Sequence, residues 1–150
     1  MMDNKKGIYL ILGILVTLIF CLYRVKFYEW LFTAPGFSDE MYNHDVYSII
    51  TGITVALTWS AAAIFYYVIN SVKFSRWYHW LSVLAIVTLV TPVIGFLENQ
   101  SIFDQNNLSY SGEAASFEFS NMIYTALLFT VASFSMRWWS TNCRHTPIPQ

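Results

Sequence analysis

This chain predicts an all-α integral membrane protein: a four-transmembrane-helix bundle with both termini on the cytoplasmic side. Three observations carry that prediction. The stretch 46–72, VYSIITGITVALTWSAAAIFYYVINSV, holds no charged residue. As a helix rising about 1.5 Å per residue, it is long enough to cross a hydrocarbon layer of roughly 30 Å. Of the 150 residues, 56% are hydrophobic and only 11% are charged, well below the roughly one-quarter charged share of a soluble domain. The few charges are also segregated along the chain, basic residues toward one set of span ends and carboxylates toward the other.

Residues 1–150 read as a single membrane domain, with no internal repeat and no linker. Lys5 and Lys6 precede the apolar run GIYLILGILVTLIFCLY, and residues 7–23 form the first expected span. Its charge-then-apolar order is that of a secretory signal, but Phe20 stands where a lipoprotein signal needs a small residue before Cys21. The reading is a retained helix. Residues 24–45 read as an outer interfacial loop, in which Phe27, Tyr28, Trp30 and Phe32 sit at headgroup depth and Pro35-Gly36 turns the chain.

The second span covers residues 46–70, and a short connection with Lys73, Arg76, Trp77 and Trp80 returns to the inner interface. Residues 77–97 form the third span. Pro92 deprives the Thr88 carbonyl of its helical donor, so a kink is expected there, with the Thr88 or Thr91 hydroxyl at hand as a substitute partner. Residues 98–118 are polar and read as the second outer loop. Residues 119–138 make the fourth span, closed by Arg137, Trp138 and Trp139.

Orientation follows from the cations. Lys5, Lys6, Lys73, Arg76, Arg137 and Arg144 collect on one side against Asp3, while Arg24 and Lys26 face eight carboxylates on the other. The excess of Lys and Arg marks the cytoplasmic side, which puts both termini inside and gives an acidic outer surface. The expected location is a bacterial cytoplasmic (inner) membrane, crossed several times.

The same map removes several chemistries. Cys21 lies toward the outer end and Cys143 in the inner tail, so the two do not meet within one chain. His44, His79 and His145 fall at different depths, so paired haem ligation is not expected, and no metal-ligand spacing appears. The middles of the spans lack Asp, Glu, Lys, Arg and His, which argues against proton-coupled transport. No motif for nucleophilic, metal-assisted or phosphoryl chemistry is present, so no enzyme, no cofactor and no nucleic-acid partner is expected.

What the spans do carry is small and hydroxylated side chains. Gly52, Ala56 and Ser60 recur every fourth residue as one helix face, and Thr51, Thr54 and Thr58 form a stripe beside it. Two readings of the small face stay open: it packs the spans against one another, or it faces outward and meets a partner's helix or a second copy of the chain. A further reading lines an oligomeric pore with Thr51, Thr54, Thr58 and Thr88, since hydroxyls wet a pore without trapping an ion. At the outer mouth Arg24, Lys26, Asp45, Glu98 and Glu118 all fall at span ends, where they are expected to pair and solvate the rim.

The expected function is accordingly non-catalytic. The chain binds, blocks or stabilises another membrane protein, as an immunity- or exclusion-type factor or an accessory subunit. The alternative is a homo-oligomeric, channel-like effector. The four-span plan at this length is shared by many small bacterial membrane proteins, a likeness of architecture alone.

Overall fold

The computed structural model describes residues 2–141, with side chains from residue 6 onward. Lys5 and Asp3 as side chains, together with Cys143, Arg144 and His145, lie outside the described residues. So do the orientation and pairing expectations that rest on them.

Among the described residues every regular element is helical: α1 Met2–Leu22, α2 Arg24–Leu31, α3 Phe37–Asn43, α4 Val46–Ala63, α5 Trp77–Gln105 and α6 Ser111–Met136. A π-helical segment, Ile64–Ile69, prolongs α4, and short 3₁₀ turns occupy Val72–Phe74 and Arg137–Trp139. Three stretches are each long and apolar enough to cross a bilayer, Val46–Ile69, Trp77–Gln105 and Ser111–Trp139. A fourth stretch meets the same length and composition only when α1, from Lys6, and α2 are taken together across a bend of 75°. The bend falls at Tyr23. Beyond it Arg24 turns back to donate from Nη1 to the carbonyl of Cys21 at 3.0 Å, a cation satisfying an orphan acceptor at a helix C-terminus.

Both stretches expected as outer loops hold helices. Residues 24–45 hold two helices, α2 and α3, joined through Gly36, whose φ of 79° is a conformation that glycine adopts without steric cost. Residues 98–118 are also helical for most of their length, because α5 runs on to Gln105 and α6 already begins at Ser111. A helix of 29 residues is about 44 Å long at 1.5 Å per residue, well beyond a hydrocarbon core of roughly 30 Å. The polar residues at the tip of the α5–α6 hairpin are thus held as ordered helix, and the chain reverses at 106–110 with Asn107 in the left-handed region.

Two further expectations change. Tyr28, expected as one of the rings facing the headgroups, is fully buried within the bundle, while Trp30 is exposed. The helix α5 continues through Pro92, and neither the Thr88 nor the Thr91 hydroxyl has a hydrogen-bond partner. The expected substitute donor to the Thr88 carbonyl is not supplied.

Packing divides the bundle into two apolar clusters. At one end Tyr28, Phe37, Met41, Tyr47, Phe103 and Phe117 pack α2 and α3 onto α4 and the α5–α6 hairpin. At the other, Ala62, Phe65, Trp80, Phe129 and Ala132 join α4, α5 and α6, with the Trp80 indole N–H donating to Ser133 Oγ at 2.9 Å. The helix α6 is central, touching α1, α4 and α5. Gly13 sets the approach of α1, since a Cβ there would fall 1.7 Å from Ser135 Oγ.

Candidate functional site

The polar residues that matter most meet within the first of these apolar clusters, flanked by Phe117 and Tyr124 on α6 and by Phe103 on α5. On α6, Glu118 and Asn121 are three residues apart and so share a face. The Asn121 amide nitrogen donates to Glu118 Oε2 at 2.9 Å. From α5, four residues apart on its own facing side, come Gly95 and Asn99. Asn99 Nδ2 donates to Glu118 Oε1 at 3.1 Å. Gly95 leaves the space the carboxyl occupies, because a Cβ there would lie 2.6 Å from both carboxyl oxygens.

Two more helices reach the same cluster. Asn121 Oδ1 accepts from the hydroxyl of Tyr28 on α2 at 3.0 Å and from Thr54 Oγ1 on α4 at 3.2 Å. Donors thus run from Tyr28 and Thr54 to Asn121, and from Asn121 and Asn99 to the carboxyl. Glu118 is 3% exposed, and Asn99, Asn121 and Thr54 are 0% exposed. Buried acceptors without partners cost about 1–3 kcal/mol each. The network meets this demand at every atom but one, the Oδ1 of Asn99, which has no hydrogen-bond partner.

Among the described residues no cation pairs with the carboxyl. Glu118 takes part in neither of the side-chain contacts between opposite charges, Arg24 with Asp45 at 3.8 Å and His44 with Glu40 at 3.3 Å. It does form part of the wall of an open groove of about 330 Å³ between α5 and α6, where the remaining lining is apolar: Leu89, Val93, Phe96, Phe119 and Met122 among it. Leu89, Val93 and Phe119 are exposed, so the groove opens to the surroundings of the bundle.

The expected outer-mouth cluster is therefore divided. Arg24 and Asp45 meet, Lys26 is exposed with its ammonium 5.9 Å from the Tyr23 ring centroid, and Glu98 is exposed. Glu118, expected at the solvated rim, is instead a buried member of the network above. Its position follows from α6 starting seven residues before it, which carries it inside the helical bundle.

The two stripes on α4 separate cleanly. Thr51, Thr54 and Thr58 are buried, and apart from the bond to Asn121 their hydroxyls serve their own helix, Thr51 to the Tyr47 carbonyl at 2.6 Å and Thr58 to the Thr54 carbonyl at 2.7 Å. Thr88 stands apart from them, half-buried on α5. Gly52, Ala56 and Ser60 are exposed, and nothing lies within 4 Å of the Cβ position at Gly52. Of the two open readings of this face, packing within the bundle does not occur. Among the described residues no group of three or more His, Cys, Asp or Glu side chains could hold a metal ion.

Sequence reasoning missed Gly95, Asn99 and Asn121 and assigned Tyr28 to the interfacial belt. A usable signal was present in the Glu118/Asn121 and Gly95/Asn99 spacings, each of which places its two residues on one helix face. Compared with known proteins, the chain matches no family, no curated protein and no solved structure.

Proposed function

We propose that this chain is a small multi-pass protein of a bacterial cytoplasmic membrane, four times across with both termini inside, that acts without a catalytic centre by docking against a helix of another membrane protein. The single observation that carries this reading is the outward face of α4. Ile49, Gly52, Ala56, Ser60 and Ile64 form one exposed stripe, small at its centre and flanked by larger apolar side chains. In lipid the hydrophobic effect does not drive helices together, and close backbone approach across small residues does. A glycine within a helix costs about 1 kcal/mol relative to alanine, and inside this bundle nothing comes near enough to Gly52 to use the space it leaves.

The excess of Lys and Arg at one set of span ends supports the orientation, and the apolar lengths of the helices support the membrane location. An immunity- or exclusion-type factor, or an accessory subunit, fits such a docking protein. The threonine stripe favours the pore reading less, because Thr51, Thr54 and Thr58 face the interior of a single copy with their hydroxyls already engaged.

A photo-crosslinking amino acid at Ile49 tests the proposal in intact membranes. The expected result is one discrete adduct, lost when Gly52, Ala56 and Ser60 are all changed to Leu in a protein that still melts cooperatively. An adduct at twice the protomer mass identifies the occupant as a second copy. An adduct that survives the triple change overturns the docking face.

A further inference from the structure

The helix α6 runs into a short 3₁₀ turn, Arg137–Trp139, whose first side chain the docking face does not explain. Arg137 is only 3% exposed, and among the described residues no carboxylate pairs with it. Its Nε is sealed from the surface without a hydrogen-bond partner, while its two terminal nitrogens, engaged by no bond, keep a narrow edge at the surface. The guanidinium rests on aromatic rings, with Cζ 4.7 Å from the Trp138 centroid and 5.9 Å from that of Phe134. The indole N–H of Trp138 is likewise buried without an acceptor. Donors and positive charge are thus gathered in one place, and what the place lacks is an acceptor and a negative charge. A guanidinium keeps its charge when buried, so the deficit stands.

An apolar groove of about 230 Å³ between α1 and α6 leads to the same place, lined among others by Tyr9, Leu12, Val16, Val131 and Phe134. Tyr9, Leu12 and Val16 are exposed, so it opens to the surroundings of the bundle. Two of its residues belong to the rings around Arg137: Phe134, and Tyr9, which stacks on Trp138 with centroids 5.0 Å apart. Lys6 stands one turn before Tyr9 on α1 and adds positive charge on that side.

From this geometry we infer that this end of the α1–α6 groove binds an anionic phospholipid, its phosphodiester held by Arg137 and one acyl chain laid along Leu12, Val16 and Val131. The groove takes only the chain, and the charge is read beyond it, at the guanidinium. A buried charge without its counter-ion is strongly destabilising, and the π faces of Phe134 and Trp138 offset this only in part. A phosphodiester supplies both missing elements, negative charge and acceptor oxygens, in the planar geometry that a guanidinium fork matches. Basic pockets between membrane helices recognise lipid head groups by this chemistry. The apolar groove beside the cation selects a lipid over free phosphate, because only the lipid fills both.

The test uses the delipidated full chain in dodecyl maltoside, with bound lipid counted by native mass spectrometry as dioleoylphosphatidylglycerol is added. One saturable site is expected, with dioleoylphosphatidylcholine and dioleoylglycerol binding at least about tenfold more weakly. Inorganic phosphate in large excess over the lipid should not displace it. Arg137→Gln should weaken binding at least about tenfold, and Arg137→Lys, which keeps the charge and loses the fork, should restore only part of it. Leu12→Trp, which fills the groove and leaves the guanidinium in place, should also abolish the site and keeps the test valid should the Gln variant fold poorly. Lys73→Gln removes one exposed charge from the connection that Asn70 ties to Thr141 at the same end, and should leave binding unchanged. Equal binding of the three lipids, unchanged binding in the Arg137→Gln and Leu12→Trp variants, or an equal loss in Lys73→Gln overturns the site. Displacement by inorganic phosphate overturns it as a lipid site.

Discussion

Gly95 and Glu118 are fitted to one another across the α5–α6 contact: the Cβ that Gly95 lacks would stand 2.6 Å from both oxygens of the Glu118 carboxyl. Those oxygens are held in place by Asn99 and Asn121, so the carboxyl is not free to swing aside without losing two hydrogen bonds. The glycine is thus tied to the acid it faces, and the acid ties α5 to α6.

Gly95→Ala should destabilise the bundle by about 1–3 kcal/mol, the usual cost of forcing atoms into a filled interior. Glu118→Ala made on top of it should recover part of that loss. Gly52→Ala should be neutral or stabilising by up to about 1 kcal/mol, since its Cβ meets open space and alanine is the better helix former. Thermal unfolding in mild detergent reads all three. Equal effects of the two glycine changes would show that the close contact at Gly95 does not exist.

Tyr28 and Thr54 share one acceptor, the Oδ1 of Asn121. Either Tyr28→Phe or Thr54→Val should cost about 0.5–1.5 kcal/mol. Together they should cost more than the sum, because the second loss leaves a buried acceptor with no donor at all. Thr58→Val should stay within about 0.5 kcal/mol of the parent, since its hydroxyl serves only carbonyls of its own helix. A double-mutant cycle by thermal or denaturant unfolding measures the coupling. Strict additivity would break the proposed sharing.

Purified protein in a planar bilayer should show no unitary conductance, because the hydroxyls at Thr51, Thr54 and Thr58 point inward and bond within the chain. A steady conductance that Thr54→Leu alters would mean that the stripe lines a path, and the docking account would give way to the pore.

How much of this was legible beforehand depends on what hydropathy can see. The start of α4 at Val46 is plain from the end of the charged DEMYNHD stretch, and the apolar segments stand out because lipid demands them. Which side of α4 faces inward was not legible, because in a bilayer both the interior and the surface of a bundle are apolar, so polarity does not mark the buried face. Only the packing shows Thr54 inside and Ala56 outside. Glu118 was misplaced for a related reason. A carboxylate that ends a polar stretch looks like a boundary; its partner Asn99 stands 19 residues away along the chain, and Tyr28, which bonds to its other partner Asn121, stands 93 residues from that asparagine. Likewise the aromatic segment after residue 24 has the composition of an interfacial belt, yet Tyr28 is drawn inward because its hydroxyl finds Asn121.

The account rests on four crossings with both ends inside, and α1 with its bend into α2 is the crossing most open to challenge. Single-cysteine variants labelled with a membrane-impermeant maleimide in intact cells and after lysis test it directly. The account predicts that Asn4→Cys and the native Cys143 react only after lysis while Gln105→Cys reacts in intact cells. Reaction of Asn4→Cys in intact cells, with Cys143 still protected, would mean that the chain crosses three times and that α1 lies on the outer side.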